Sequence, residues 1–527
     1  MKNFSKVSIL IIIFLAVSVL FPIFNMLVNV KWDNFSTLVS STAFTSALKN
    51  SLFVGIISTI TSIFIAYILA YGVNKVIKKH KNFYKILFTL PMLIPSISHG
   101  LGLINLFGTN GIISKVFGFD IIGSTGIIIG SVMYSFPIAF LMLDDGFNYI
   151  DDNMYHAAKV LGLNKWQTFK KVTLCYMKKP LLSAIFAVFT MVFTDYGVPL
   201  AVGGKFITLP VFLYKEVIGL LDFSKGTMIG LFLLIPAIIS FIVDNFSKDY
   251  SSGDFNNCYD EEENKIKTIL IKIFMFIVIL FIFVVLGSFI YYAFVDNPAL
   301  NNSLSLKHLE YVIGDNLAGY MLNSLLISIV TALLGTFISY MAAYFTARRK
   351  NFITKIIHIL VIITLAIPGI VLGLAYSISF KNTPIYNTFI IIILVNIIHF
   401  IASPYLMAYN ALLKLNQNYE VVAKTCNISI FRIIIDVIVP CSKTTILEMM
   451  SYFFINSMIT ISAVTFLFNT NTMPLSLLIN TYEGNMMLGE AAIISIIILI
   501  FNLIAKIITN IFKTKEGRKN KYENIIY

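Results

Sequence analysis

The chain has 527 residues, of which 58% are hydrophobic and only 12% charged, against roughly 45–50% and 25% in soluble globular domains. That balance excludes a water-solvated fold, and the apolar residues gather in runs of about 20, enough to cross a hydrocarbon core roughly 30 Å thick. A formal net charge of +13, from 39 Lys and Arg against 26 Asp and Glu, points to basic loops at one membrane face rather than to nucleic acid.

The predicted elements are helices. The first follows Lys2 and Lys6 and runs from about Val7 to Val28, too long for a signal peptide and with no small-residue cleavage site after it. Apolar segments near 51–73, 86–107, 125–143, 181–202 and 227–243 complete a set of six. A second set follows near 273–295, 321–345, 356–380, 387–408, 446–468 and 488–510. The expected fold class is therefore an all-α membrane protein of about 12 transmembrane helices in two homologous six-helix halves, 1–246 and 268–527. Between them, residues 247–267, "SKDYSSGDFNNCYDEEENKIK", have the Ser, Gly, Asn and acidic content of a flexible connector.

An internal repeat supports the division. "NSLFVGIISTITSIFIAYILAYGV" from Asn50 is similar to "NSLLISIVTALLGTFISYMAAYFT" from Asn323, and the same offset of 273 places Pro95 and Gly100 on Pro368 and Gly373. These four residues interrupt helices at matching places, and broken helices at membrane depth are tolerated where their backbone lines a cavity or finds protein partners. Plain packing kinks are the other reading.

With the N-terminus inside, 28 Lys and Arg fall in loops on that side and 8 on the other, which predicts two cytoplasmic termini by the positive-inside rule. The same topology puts Cys175, Cys258, Cys426 and Cys441 at or near the cytoplasmic side, where thiols stay reduced. Their spacing offers no paired metal site, and neither a cofactor nor a metal is expected.

The two largest loops on the inner side, 144–180 and 409–445, carry the informative pattern. The first holds "HAAKVLGLNKWQTFKKVTLC" from His156 and the second "VVAKTCNISIFRIIIDVIVP" from Val421. Each sequence resembles the cytoplasmic loop of ABC-type importer permeases, whose pattern is Glu-Ala-Ala, three residues, Gly, nine residues, then Ile-x-Leu-Pro. Ala157, Ala158, Gly162 and Leu174 fit in the first loop, with His156 in place of Glu and Cys175 in place of Pro. In the second, Ala423 and Pro440 fit, whereas Val421, Val422 and Asn427 replace Glu, Ala and Gly. The thirteen-residue step from Gly162 or Asn427 to the last position is kept in both. The resemblance implies that each loop docks one of two ATP-hydrolysing subunits, and that an extracytoplasmic binding protein delivers the solute. An ordinary interfacial helix is the competing reading for either copy.

No Gly-x4-Gly-Lys-Ser/Thr phosphate loop occurs; "GGKF" at Gly203 lacks the upstream Gly and the hydroxyl residue. Hydrolysis therefore belongs to separate chains, and this one is expected to be a permease in the cytoplasmic membrane rather than an enzyme. Several stretches, among them "FTDYGVPLAVGG" at 193–204, "AIPGIVLGLAY" at 366–376 and "ISAVTFLF" at 461–468, resemble the fused two-half permeases of 2-aminoethylphosphonate importers, which are related to iron(III) and thiamine permeases. That resemblance implies a phosphonate solute, with iron(III) or thiamine as the alternative. An ion-coupled secondary transporter is a further alternative, although it calls for buried ionisable groups beyond Asp195. Ionisable and polar residues at membrane depth are path or gate candidates: Asp195, Tyr196, His99, His399, Asn456 and Ser462. For the histidines, a bond to a neighbouring helix competes with a bond to the solute.

Overall fold

In a computed structural model of the chain, the structure describes residues 2–526 apart from 109–110, 112, 115–117, 119, 149, 151, 248–264, 298–300, 350 and 417. Most of the expected connector, and Cys258 within it, lies outside the described residues.

The first set comprises α1 (Val7–Val28), α2 (Thr42–Val76), α3 (Lys81–Phe88), α4 (Ser96–Phe107), α5 (Ser124–Asn148), α6 (Asp152–Val160), α7 (Lys165–Thr194), α8 (Gly197–Val202) and α9 (Phe223–Ser247). The second comprises α10 (Lys265–Phe294), α11 (Leu317–Arg348), α12 (Phe352–Ile363), α13 (Gly369–Phe380), α14 (Phe389–Phe400), α15 (Ala402–Lys414), α16 (Asn418–Thr425), α17 (Lys443–Ile459) and α18 (Leu488–Ile526). A two-stranded hairpin, Val295–Asn297 with Asn301–Leu304, follows α10.

The all-α membrane class holds, and the helix count shows how apolar runs misreport spans. Among the described residues eight helices are long and apolar enough to cross a membrane. The expected spans 356–380 and 387–408 are bent pairs, α12 with α13 at 110° and α14 with α15 at 52°, which bring the number to ten. The remaining two differ more. Segment 86–107 is broken between α3 and α4, and α17 ends at Ile459 after 17 residues. Segment 181–202 likewise overruns its helix, because α7 stops at Thr194 and the chain turns into α8.

The long helices α2 and α11 explain why the sets pack closely. Each buries a row of small residues, Ser51, Gly55, Ser58 and Ser62 in α2 and Ser324, Ser328, Thr331 and Gly335 in α11. Without a hydrophobic drive between helices in lipid, close backbone approach and interhelical hydrogen bonds carry the association. Ser62 and Ser135 hydroxyls meet at 2.8 Å between α2 and α5, and the ring of Phe453 on α17 packs over Gly335.

The repeated Asn-Ser pair has one structural job in both sets. Asn50 Nδ2 donates to Ile207 O at 2.9 Å and Ser51 Oγ accepts from Leu209 N at 2.7 Å. Correspondingly, Asn323 Nδ2 donates to Met473 O at 3.2 Å and Ser324 Oγ accepts from Leu475 N at 2.7 Å. Each pair thereby pins the chain that returns after the short segment beyond α7 or α17.

The first helix of each set packs on the other set. Tyr376 on α13 donates to Ser18 O of α1 at 2.6 Å, and Asn25 of α1 donates to Ser379 Oγ at 3.2 Å. Reciprocally, α10 lies on α4, where an added Cβ at Gly102 would stand 2.6 Å from Val285 Cγ1. The exchange interlocks the two sets through their apolar cores.

Candidate functional site

The two loops fold alike at the turn that follows each short helix. After α6, Leu163 N donates to Ala158 O at 3.0 Å; after α16, Ile428 N donates to Ala423 O at 2.8 Å. A bond five residues back closes a helix around a left-handed residue, and the left-handed positions are Gly162 at φ 69° and Asn427 at φ 53°. Asn is among the few side chains that adopt this conformation at small cost, so its replacement of Gly preserves the turn. A π-helical turn then follows in each loop, at Phe169–Thr173 and Ile434–Ile438.

Ala158 and Ala423 are buried against the helical bundle, whereas His156, Ala157, Val421 and Val422 face outward. Beside them Val160, Leu161 and Trp166 in the first loop and Phe431 in the second are also exposed. Each loop thus presents a short helix with an inward small residue and an outward apolar edge. The last motif position separates the loops: α7 runs on through Cys175, but after Pro440 the helix is interrupted at Ser442. Cys175, Cys426 and Cys441 are free thiols.

At the other candidate region, Pro95 and Pro368 occupy the extended residue that starts α4 and α13, with ψ of 153° and 141°. Gly100 and Gly373, one turn farther on, face the segment beyond α7 or α17. An added Cβ at Gly100 would lie 2.7 Å from Ala201 Cβ and 3.4 Å from Val198 O, and at Gly373 2.5 Å from Ala463 O. Val198 and Ala463 are themselves 265 residues apart, so the same backbone contact is made twice.

Asp195 caps the turn between α7 and α8. Its Oδ1 accepts from Gly197 N at 3.3 Å and its Oδ2 from Val198 N at 3.1 Å, and the Ser96 hydroxyl donates to the same carboxylate. Its counterpart Thr460 instead donates to Asn456 O, with Ser476 Oγ donating to Thr460 O at 2.6 Å. Tyr196 is buried and its hydroxyl meets Thr465 Oγ1 of the second set at 3.1 Å. Asn456 donates to Tyr452 O within its own helix, and Ser462 Oγ lies against Gly369.

His99 and His399 are both buried. His99 Nδ1 lies 3.2 Å from Pro95 O and its ring faces Tyr134 at 5.7 Å, while Nε2 has no hydrogen-bond partner. His399 packs on Phe400 with ring centroids 4.5 Å apart, and its Nδ1 has none either. Through Tyr134, which has Asp195 and Tyr452 as electrostatic neighbours, His99 and Asp195 belong to one cluster, which His399 reaches through Phe400, whose ring lies 6.4 Å from that of Tyr452.

Four functional-looking contacts escape motif reading. Lys75 Nζ lies 4.8 Å over the Tyr155 ring, and Arg348 Nε meets Glu420 Oε1 at 3.2 Å. On α18, Asn502 Nδ2 donates to Leu93 O at 2.8 Å and Lys506 Nζ to Thr89 Oγ1 at 2.7 Å. These satisfy polar groups at the α3–α4 break from the opposite set. Asn502 and Lys506 are isolated polar residues in an apolar helical run, where the only signal is their cost in that setting, whereas Lys75 and Arg348 sit in polar helix ends that give no such signal.

Comparison with known proteins gives a consistent picture. Residues 62–250 and 335–517 each match the family described as binding-protein-dependent transport system inner membrane component. The chain is 26% identical over 449 residues to a ferric transport system permease protein of Haemophilus influenzae, covering 81% of this chain and 70% of that one. It is 26% identical over 452 residues to one of Actinobacillus pleuropneumoniae, covering 81% and 65%. A thiamine transport system permease protein of Haemophilus influenzae is 25% identical over 359 residues, 64% of each chain. A solved bacterial ABC transporter involved in import of alginate aligns with 42% of this chain at 16% identity and a TM-score of 0.33.

Proposed function

This chain belongs to the family of binding-protein-dependent transport system inner membrane components, and from that premise we propose that it is the membrane permease of an ATP-driven importer whose two ATPase subunits dock at α6 and α16. As a member it is a multi-pass inner-membrane transport permease and not an enzyme. The single observation that carries the docking proposal is the repetition of one loop geometry, with Gly162 and Asn427 at left-handed φ and Ala158 and Ala423 turned inward. Rigid closure of such a helix on a mobile partner would move α7 or α17 directly. In this reading the termini and both loops are cytoplasmic, residues 1–246 and 268–527 are the two halves, and a binding protein docks on the opposite face.

The solute has two readings that rest on different observations. The stretches at 193–204, 366–376 and 461–468 resemble 2-aminoethylphosphonate permeases, which supports a phosphonate. The ferric permeases that align with 81% of the chain support iron(III). ATPase activity of the permease reconstituted with its ATPase and binding protein, scanned with 2-aminoethylphosphonate, inorganic phosphate, thiamine and iron(III), separates them. Stimulation by 2-aminoethylphosphonate alone is the expected result; stimulation by iron(III) alone replaces the solute and keeps the transport reading.

We assign Asp195 and Tyr196 to a gate rather than to solute binding, because their polar atoms are engaged with backbone N–H groups and with Thr465 of the opposite set, and Ser462 to the same gate because its hydroxyl packs on Gly369 at the start of α13. Pro95, Gly100, Pro368 and Gly373 shape the pathway by presenting broken helices to it, and His99 and His399, each with one nitrogen unengaged, are the groups placed to meet an anionic oxygen.

A further inference from the structure

Beside the first loop lies a cavity of about 1320 Å³ formed by the end of α2, α3 and the first five turns of α10. It is larger than the roughly 300–1,000 Å³ of a small-molecule site. Its rim carries Lys75, Lys78, Lys79, Lys165, Lys267 and Lys272, and none of the described residues lining it is acidic. Its floor is apolar, with Leu87, Phe276 and Phe283 among the lining residues. From Lys267 to Phe283 the same stripe of α10 descends about 24 Å at 1.5 Å per residue, passing from the basic rim into the apolar segment that begins near 273. Phe276 and Phe283 stay exposed.

Cations at one end and exposed apolar side chains along a membrane-length groove complement an amphipathic anion. We propose that this cavity is a binding site for an anionic diacyl phospholipid, with its phosphate among the lysines and an acyl chain along α10. Basic pockets between membrane helices hold such headgroups. The site is built around fixed groups: Lys267 Nζ donates to Tyr71 OH at 2.6 Å and lies 4.4 Å over the same ring. The duplicated architecture does not require the charge. Offsets of 273 and 265 place Asn351, Phe352, Ile353 and Ile430 where the first set has Lys78, Lys79, His80 and Lys165, whereas Lys75 is matched by Arg348, so these four positions of the rim are basic on one side only. Because Lys165 opens α7 immediately after the Gly162 turn, a bound phosphate ties the first loop to α10 and makes the two loops mechanically unequal.

The proposal does not depend on the identity of the solute or on coupling to an ATPase. Its test is titration of the purified full chain in detergent with phosphatidylglycerol, phosphatidylcholine or inorganic phosphate, read by native mass spectrometry. The variants are a Lys78→Gln/Lys79→Gln/Lys272→Gln triple, its Lys→Arg equivalent, and a Lys355→Gln/Lys443→Gln control in the second set; size exclusion reports folding. The expected result is binding of phosphatidylglycerol at least tenfold tighter than phosphatidylcholine. That preference should be lost in the triple Gln variant, since each lysine near the surface contributes about 1 kcal/mol, or about fivefold, to holding an anionic headgroup, survive in the Arg variant and be unchanged in the control. Equal binding of the two lipids, or an unaltered preference in a well-folded triple Gln variant, overturns it. Displacement of the lipid by inorganic phosphate at comparable concentration identifies a free-anion site and overturns the lipid assignment.

Discussion

Lys75 and Arg348 are equivalent cations 273 residues apart, each at the C-terminal end of a long helix, and each grips the residue that precedes its loop motif. Lys75 lies over the Tyr155 ring at 4.8 Å, while Arg348 meets the Glu420 carboxylate at 3.2 Å. Tyr155 and Glu420 are themselves 265 residues apart. The same mechanical link, long helix to loop helix, is therefore made by a cation–π contact in one set and an ion pair in the other.

The two links should fail unequally. Arg348 is almost fully enclosed, and removing one partner of a buried pair leaves an uncompensated charge, a loss of about 3 kcal/mol. A cation–π contact contributes about 1 kcal/mol. Glu420→Ala is expected to lower the melting temperature in detergent and abolish transport, whereas Tyr155→Ala weakens transport only partially. Equal effects would contradict the ranking.

Gly369 and Ser462 offer a test of the paired packing at the helix breaks. An added Cβ at Gly369 falls on Ser462 Oγ, and one at Gly197 falls on Ser96 Oγ and 2.8 Å from Ile97 N. Gly and Ser have exchanged sides between the two sets, so one small residue must yield to the other. Gly369→Ser alone should cost roughly 1–3 kcal/mol as overpacking; adding Ser462→Gly should recover part of that stability. Absence of any recovery in the double variant, read by thermal unfolding, would mean that the contact is not the limiting one.

Asp195→Asn separates capping from charge. If the carboxylate serves the turn into α8 through Gly197 N and Val198 N, the amide oxygen retains an acceptor and uptake falls by less than about tenfold, while Asp195→Ala, which removes the cap at a cost of about 1 kcal/mol, is worse. Loss of uptake in both variants, with the protein still folded, would instead assign the charge a direct role.

His308 supplies a pH signature. Its Nδ1 lies 2.9 Å from Glu490 Oε1, and hydrogen bonding to that carboxylate raises the imidazole above its usual 6.5. A raised value in the folded state contributes stability that is fully present below pH about 6.5 and fades as pH rises through the folded-state value. Melting temperature should therefore decline across that interval, and His308→Gln should flatten the decline. A wild-type profile identical to that of the variant would dismiss the pair as a source of pH dependence.

What the sequence revealed and concealed follows from what periodicity measures. Spacing carried the loops well, because the turn at Gly162 recurs at Asn427 in spite of the changed residue and a side chain tolerant of positive φ was the only requirement. Pro95 and Pro368 announced their breaks because Pro cannot donate to a helix. Apolar runs did not reveal where α7 and α17 stop: Val198–Val202 and Ile461–Phe466 are as hydrophobic as a span, and Asp195 and the Thr460–Ser476 bond decide the turns. Nor could a stripe of Phe and Ile tell which set it packs on, so the exchange of α1 and α10 appears only in the fold. Arg348 with Glu420 and Asn502 with Leu93 pair residues 72 or more positions apart, beyond any local pattern.

The central claim, one ATPase subunit at each loop, is tested most directly by the mass of the assembled complex together with ATP-driven uptake in proteoliposomes. Gly162 has open space around its missing Cβ, so Gly162→Val acts through the cost of a β-branched residue at positive φ rather than through a clash. The account predicts two ATPase subunits per chain, ATP-dependent uptake, and loss of uptake with weakened occupancy of one site in Gly162→Val. Failure of any ATPase subunit to bind, or uptake driven by an ion gradient without ATP, would contradict it.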